Sequence, residues 1–453
     1  MDRMTSLVAG ALLAVTACAA EEIETAKWQA AIDAVAAKGG GRVTVPAGRH
    51  VTGQLYLKSN VELHLAEGAS LVGAPGLHNY TVHKLPFSEG TWSAVVMGLN
   101  VTNVAITGKG EVFGNGQLFE KVRTKGAICQ EGFRPRGIFF SECRGIRLED
   151  FTLRDAACWG MVLKCCDGMT ARRVRIDSNA NLNNDGFDVE AKNVLIEDCD
   201  VDAGDDAYCI KSNDPGFTVE NVTVRNCMAR SHCNGYKLGT ASHGTMRNIL
   251  VEHCRTAPSR RVYRDLAPMP TDLTKPNPVK GAPTYLCSCG IGAICVECVD
   301  GGVVENVRVD DVDVCGFSVP IFVRGGTRSG RSCGTPPNDK YVLRDVVISN
   351  VRGRAERAIA SSVTGVKGCR PANVILRDIA IECVGEGANA KPFRVPGPEA
   401  AGKYPEATMF SGYRLPCYGL FVDQADGVKT ENVRFTVRNG TADSREPIHF
   451  TGK

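Results

Sequence analysis

A short element recurring about every two dozen residues, period-2 alternation within each recurrence, and a glycine-rich, aromatic-poor composition predict an all-β solenoid. The specific form is a single-stranded right-handed parallel β-helix with an N-terminal capping helix. The element is Arg or Glu, then Asn or Asp, then an apolar residue. It occurs as Glu149-Asp150-Phe151, Arg172-Arg173-Val174, Glu197-Asp198-Cys199, Glu220-Asn221-Val222 and Arg247-Asn248-Ile249. It returns as Glu305-Asn306-Val307, Arg344-Asp345-Val346, Arg377-Asp378-Ile379 and Glu431-Asn432-Val433. The first recurrences lie about 23 to 27 residues apart, and later, longer gaps imply loops inserted between or within coils. Runs such as VENVTVRNC alternate as strands do. Leucine-rich repeats are similar in length, but their leucine–asparagine consensus is absent, and propeller blades need about 40 residues or more. Each coil buries its inner face only by stacking on neighbours, so residues 21–453 are expected to form one domain. The recurring Asn and Asp are expected to build polar ladders at the coil corners.

Composition sets outer limits. Of 453 residues, 43% are apolar and 23% charged, which suits a globular chain with a sizeable core. The 49 glycines and 6% aromatics favour short strands and tight turns over a helical bundle. A net charge of +3 gives no field that would gather nucleic acid, so the ligand must be sought in local sites. No run of about 20 apolar residues exists to span a membrane as a helix.

Taken in order, residues 1–20 read as a bacterial signal peptide, with a short apolar run followed by small residues. Export to the periplasm, the cell envelope or the medium is therefore expected. Val15-Thr16-Ala17-Cys18 also resembles a lipobox, which would place a lipid anchor on Cys18; the alternative is cleavage near Ala19 or Ala20. Residues 21–38 carry Trp28, Ile32, Val35 and Ala36 at helical spacing, and Gly39-Gly40-Gly41 ends that helix. Such a helix would cap the open end of the solenoid. The runs RVTVPAG and LYLKSNVELHL then begin the strands. The twenty cysteines are expected to be mostly buried thiols stacked between coils, with one or two disulfides. Adjacent Cys165 and Cys166 should face opposite sides of a strand. Cys295 and Cys298 form a lone CxxC, too little for zinc.

Most carboxylates are scattered singly. NNDGFDVE (183–190) and GDDAYCIKS (204–212) are different, because they lie about one coil apart. Stacked rungs are about 4.8 Å apart, so Asp185, Asp205 and Asp206 should gather on one face. Asp205 and Asp206 are consecutive, so a bend is required, and Gly186 and Gly204 offer the freedom for one. Clustered carboxylates shift each other's pKa values, separating an acid from a base. A calcium site and structural turn aspartates are the alternatives. SHCNGYKLGT (231–240) belongs to the next coil, placing Asn234 near the following rung and Lys237 and Lys211 beside the aspartates. His232 and His243 are weaker candidates for a polar contact. The stretch 257–288, basic at Arg260, Arg261, Arg264 and Lys280, would build one wall of a groove. Tyr404-Pro405-Glu406 with Met409-Phe410 would build another, unless they are ordinary loop packing.

At these residues the chain resembles the polygalacturonase-like glycoside hydrolases, family 28. The family's Asn-Thr-Asp motif matches Asn183-Asn184-Asp185, with Asn in place of Thr, and its Gly-Asp-Asp motif matches Gly204-Asp205-Asp206. The resemblance implies an inverting hydrolase of α-galacturonic acid linkages in pectic polysaccharide or oligosaccharide. Asp205 would be the general acid, with Asp185 and Asp206 holding and deprotonating the attacking water. It implies no cofactor and no metal, and a monomer is expected. Two departures mark a divergent bacterial branch. The family's Gly-His-Gly falls on Cys233-Asn234-Gly235, and its carboxylate-gripping Arg-Ile-Lys is replaced by AICVECVDGG. Substrate binding is then expected to fall to Asn183, Asn234, Lys211, Lys237 and Arg324. A lyase on the same fold and a glycan-binding solenoid without chemistry are the competing readings.

Overall fold

The computed structural model describes residues 22–119, 134–261, 289–328, 340–387, 391–397, 400, 403–438 and 442–451. The expectations for residues 1–20, for Cys18 and for residues 262–288 lie outside them. No helix among the described residues is long and apolar enough to cross a membrane.

The chain winds as a right-handed parallel β-helix. Helix α1 (Thr25–Ala37) comes first and buries Trp28 and Ile32 against the first coil. It is shorter than the expected 21–38. Gly39, Gly40 and Gly41 follow it with φ of 93°, 122° and 139°, a left-handed path that ends the helix.

One sheet of the solenoid carries the functional residues. Its strands are β1 (Ala94–Leu99), β2 (Arg136–Ser141), β3 (Met161–Arg172), β4 (Phe187–Glu197), β5 (Tyr208–Ser212), β6 (Asn234–Ser242), β7 (Gly290–Cys298), β8 (Phe317–Gly325), β9 (Ser361–Thr364), β10 (Cys417–Asp423) and β11 (Glu446–Phe450). Each pairs in parallel with the next. Val, Ile, Leu and Phe side chains from all coils fill one continuous interior. Phe187, Tyr208 and Tyr236 stack through it on successive rungs, with centroids 5.6 and 5.2 Å apart.

The recurring triplet marks the corners. All nine of its middle residues have positive φ, between 51° and 70°. Asn and Asp tolerate this conformation better than other side-chain-bearing residues, which explains the repeat. The expected ladders are present: Asn221 donates to Asn193 at 3.0 Å, Asn248 to Asn221 at 3.1 Å, and Asn306 to Asn248 at 2.7 Å. The triplet serves two different corners, however. Register aligns Glu149, Arg172, Glu197, Arg377 and Glu431 along one edge and Glu220, Arg247, Glu305 and Arg344 along another. Both corners make the same conformational demand, so their sequences look alike.

All sixteen described cysteines are free thiols, and fourteen are buried. The expected one or two disulfides are not found among the described residues. Cys199, Cys227 and Cys254 occupy equivalent positions of successive coils and act as small apolar fillers. Cys166 enters the core, whereas half-buried Cys165 turns outward at a register shift with φ of 52°.

Candidate active site

Backbone pairing continues beyond the strand ends at one point. Gly186 N–H donates to Asp206 O (2.8 Å), and Ala207 N–H donates to Asn234 O (2.8 Å). Asp185 precedes β4, Asp205 and Asp206 precede β5, and Asn234 opens β6, so three coils place these residues on adjacent rungs. The expected bend is real, since residues 204–207 lie between two strands. Gly186 has no positive φ but packs so closely that a Cβ there would come within 2.3 Å of Ala207 O.

The two neighbouring aspartates are held differently. Asp206 accepts from Asn234 Nδ2 at 2.7 Å and faces Lys237 Nζ at 3.0 Å. Burial alone would raise its pKa. The charges of Lys237 and Lys211 and the Asn234 bond outweigh this and hold it below the usual carboxylate range. Asp205 accepts from the Asp206 backbone N–H at 3.0 Å and weakly from Asn183 Nδ2 at 3.4 Å, but faces no cation at ion-pair distance among the described residues. Burial, then the charge of Asp206, raises its pKa. Side by side, one carboxyl is biased to be ionised and the other to keep its proton.

Asp185 is biased in the same direction as Asp205. Burial, then the charges of Asp188 and Asp205, push it well above its ordinary value, and its Oδ1 has no partner. Lys211 Nζ lies 3.5 Å from Asp185 but 2.7 Å from Asp188, and rests 4.2 Å from the Trp159 ring centroid. Burial pushes Asp188 up to about 6.

The residues expected to bind substrate are therefore largely engaged within the protein. Asn234 is 0% exposed and holds Asp206. Lys237 is 3% exposed and held by Asp206, which differs from a cation open to a ligand. Lys211 is paired with Asp188. Asn183 bridges Arg134 Nη2 (3.1 Å) and Asp205. Arg324 lies on β8, two rungs beyond Lys237 on β6, and is not among the groups around the aspartates. His232 meets Arg261 O at 2.9 Å, and His243 is buried beside Asp300.

Asp188 and Glu297 beside the site escaped the sequence reading, and Glu406 was expected only as part of a groove wall. Asp188 sits within NNDGFDVE, where outward alternation from the strand start was the available signal. Glu297 on β7 is buried with both carboxylate oxygens unpartnered; burial raises its pKa well above normal despite the Lys237 charge. Glu406 arrives from the far C-terminal part of the chain. Burial pushes it up to about 7, with Lys237 opposing and Asp206 and Asp205 adding to the shift. The expected wall at Tyr404–Phe410 thus closes on the site: Tyr404 Oη is 3.4 Å from Thr240 Oγ1, and Arg328 lies over the Tyr404 ring. Of the expected wall at 257–288, only residues 257–261 are described, and there Arg260 and Arg261 are engaged in ion pairs. They fasten the chain to Asp155, Asp177, Asp200 and Asp202. Asp205, Asp206 and Cys233 converge within 4.8 Å. That set is poor for calcium, which takes six to eight oxygens, because one member is a thiol and Asp206 is already filled.

Comparison with known proteins accounts for this arrangement. Residues 38–262 match the family described as Glycosyl hydrolases family 28. Over these residues the chain belongs to that family. A "Probable polygalacturonase" of Arabidopsis thaliana is 28% identical over 189 residues, covering 35% of this chain and 40% of the relative. A Vitis vinifera protein of the same description is 28% identical over 186 residues, covering 39% and 38%. The family 28 chain thus spans about two fifths of the length of the curated relatives it matches. Two solved structures share the fold. An exopolygalacturonase from Thermotoga maritima has a TM-score of 0.60 at 21% identity, covering 79% of this chain and 84% of that one. A family 28 exopolygalacturonase from Yersinia enterocolitica has a TM-score of 0.60 at 17% identity, covering 93% and 76%. The wall with Glu406 lies outside the matched residues of this family 28 chain.

Proposed function

We propose that this chain is a glycoside hydrolase that cleaves α-linked galacturonic acid bonds in pectic polysaccharide or oligosaccharide with inversion. The observation that carries this reading is the opposite bias of adjacent Asp205 and Asp206, the first held towards its proton by burial and the charge of Asp206, the second towards its charge by Lys237, Lys211 and Asn234. Asp205 gives its proton to the glycosidic oxygen as the bond to the anomeric carbon breaks. Asp206 takes a proton from the water whose oxygen bonds to that carbon. Asp185, neutral and with a free Oδ1, holds the water rather than deprotonating it. Lys237 and Asn234 keep Asp206 ionised and oriented. The relatives' printed names supply the substrate class, and the leader-like residues 1–20 support export, where such glycans are met.

Product analysis on a panel of pectic oligosaccharides tests this. A saturated product released with inverted anomeric configuration is expected by NMR. A product absorbing as an unsaturated uronate and lost with a chelator would mean a lyase. No product from any member of the panel would leave a binding solenoid.

A further inference from the structure

Two rungs beyond Lys237 the groove sheet holds a buried cation that makes no ion pair among the described residues, with Asp423 and Glu297 acting on it only at longer range. Arg324 on β8 is 3% exposed, and no described residue forms an ion pair with it. Its Nη1 donates to Thr364 Oγ1 (3.1 Å) and Gly365 O (3.4 Å), and its Nη2 donates to Ala400 O (3.1 Å). Neutral acceptors alone compensate a buried guanidinium poorly, and burial lowers its pKa to about 10. Arg324 lines a cavity of about 200 Å³ together with Lys367, Phe410, Asp423 and Gln424. At about 30 Å³ per water, that is room for several waters or one small polar molecule. Lys367 is exposed, and no described residue forms an ion pair with it. Asp423, in register with Arg324 through Thr364, offers acceptors for hydroxyl groups. The cavity lies two rungs along the axis from Lys237, roughly 10 Å at 4.8 Å per rung. A glycan laid in the groove at the aspartates would reach it within a short oligosaccharide.

We propose that this cavity is a second, separate subsite that takes a carboxylate-bearing sugar, a hexuronate, on Arg324 and Lys367. It deepens the hydrolase reading and rests on it for the identity of the sugar. The planar guanidinium presents paired N–H donors matched to a carboxylate, while Asp423 accepts from sugar hydroxyls. The subsite assigns uronate recognition away from Lys237, which Asp206 already holds.

The test reads binding without turnover. The full chain is melted with increasing galacturonate, galactose or inorganic phosphate, and Arg324→Gln is melted alongside. Galacturonate should raise Tm of the parent chain while galactose does not. The concentration giving half the shift should rise at least about tenfold in Arg324→Gln, for the loss of charge-assisted hydrogen bonds. An unchanged half-shift concentration, or no shift in the parent, would overturn the proposal. Phosphate reproducing the galacturonate effect would mean a general oxyanion site and would also overturn it. If Arg324→Gln does not fold, exposed Lys367→Gln replaces it, with a weakening of about two- to fivefold expected and no change counting against the subsite. A chain that binds galacturonate through Arg324 yet hydrolyses no pectic substrate would sink the hydrolase reading alone.

Discussion

Lys237 Nζ lies 3.0 Å from Asp206 Oδ2, and both side chains are buried. The pair ties two coils together and biases one carboxyl of the candidate site towards its ionised form. Lys237→Met leaves Asp206 buried without its cation. Stability should fall by about 3–5 kcal/mol in denaturant titration. Asp206 would also ionise at higher pH, so the acid limb of the kcat/KM–pH profile should move upward. A stable variant with an unmoved acid limb would show that Lys237 does not support the base.

Asp205→Asn removes the acid while keeping shape and size. Activity should drop about 10²–10⁴-fold with an unchanged melting curve. Parent-like turnover from a folded variant would remove Asp205 from its role.

Glu406 makes stability depend on pH. Its folded pKa is raised from 4.5 to about 7, so the folded state binds the extra proton between those values. This contribution to stability is present below about pH 4.5 and is lost as pH rises towards 7. In Glu406→Gln the decline of Tm across that window should be shallower than in the parent chain. Parallel curves for the two chains would place Glu406 in an unperturbed setting.

Thiol reactivity should divide by burial. Denatured without reductant, the chain should show at least sixteen reactive thiols; about four fewer or more would require disulfides. Among the described cysteines of the folded state, only half-buried Cys165 and Cys315 should react, and Cys315 first, because burial pushes Cys165 up to about 12.

The corner ladder has a measurable strength. Asn248→Ala forces a left-handed conformation on alanine and breaks bonds to Asn221 and Asn306, so a loss of about 1–2 kcal/mol is expected. Asn248→Gly should lose less. Equal losses in both would mean that the conformation is not what selects Asn there.

Much of the fold was legible because the solenoid repeats one conformational demand, and Asn221, Asn248 and Asn306 record it directly. The same uniformity concealed that Asp150 and Asn221 occupy different corners. The aspartates were legible because one coil separates Asp185 from Asp206. The roles of Lys211 and Lys237 were not, because a sequence places charges near one another without showing which are already paired. Glu297 and Glu406 reach the site from a later rung and a distant loop, so no local spacing announces them. The absence of disulfides among the described cysteines was hidden for a similar reason: buried thiols and bridged ones share the same repeat spacing.

The aspartates precede β4 and β5, near the middle of the described rungs, with α1 closing one end of the stack. Because each coil leans only on its neighbours, unravelling begins at the termini and works inward. The catalytic rungs are thereby the last to come apart. Heating or mild denaturant should fray the outer coils first, so amides of Ile210 and Leu238 should exchange with solvent later than those of Val51 or Phe435, and the groove keeps its geometry while both ends loosen.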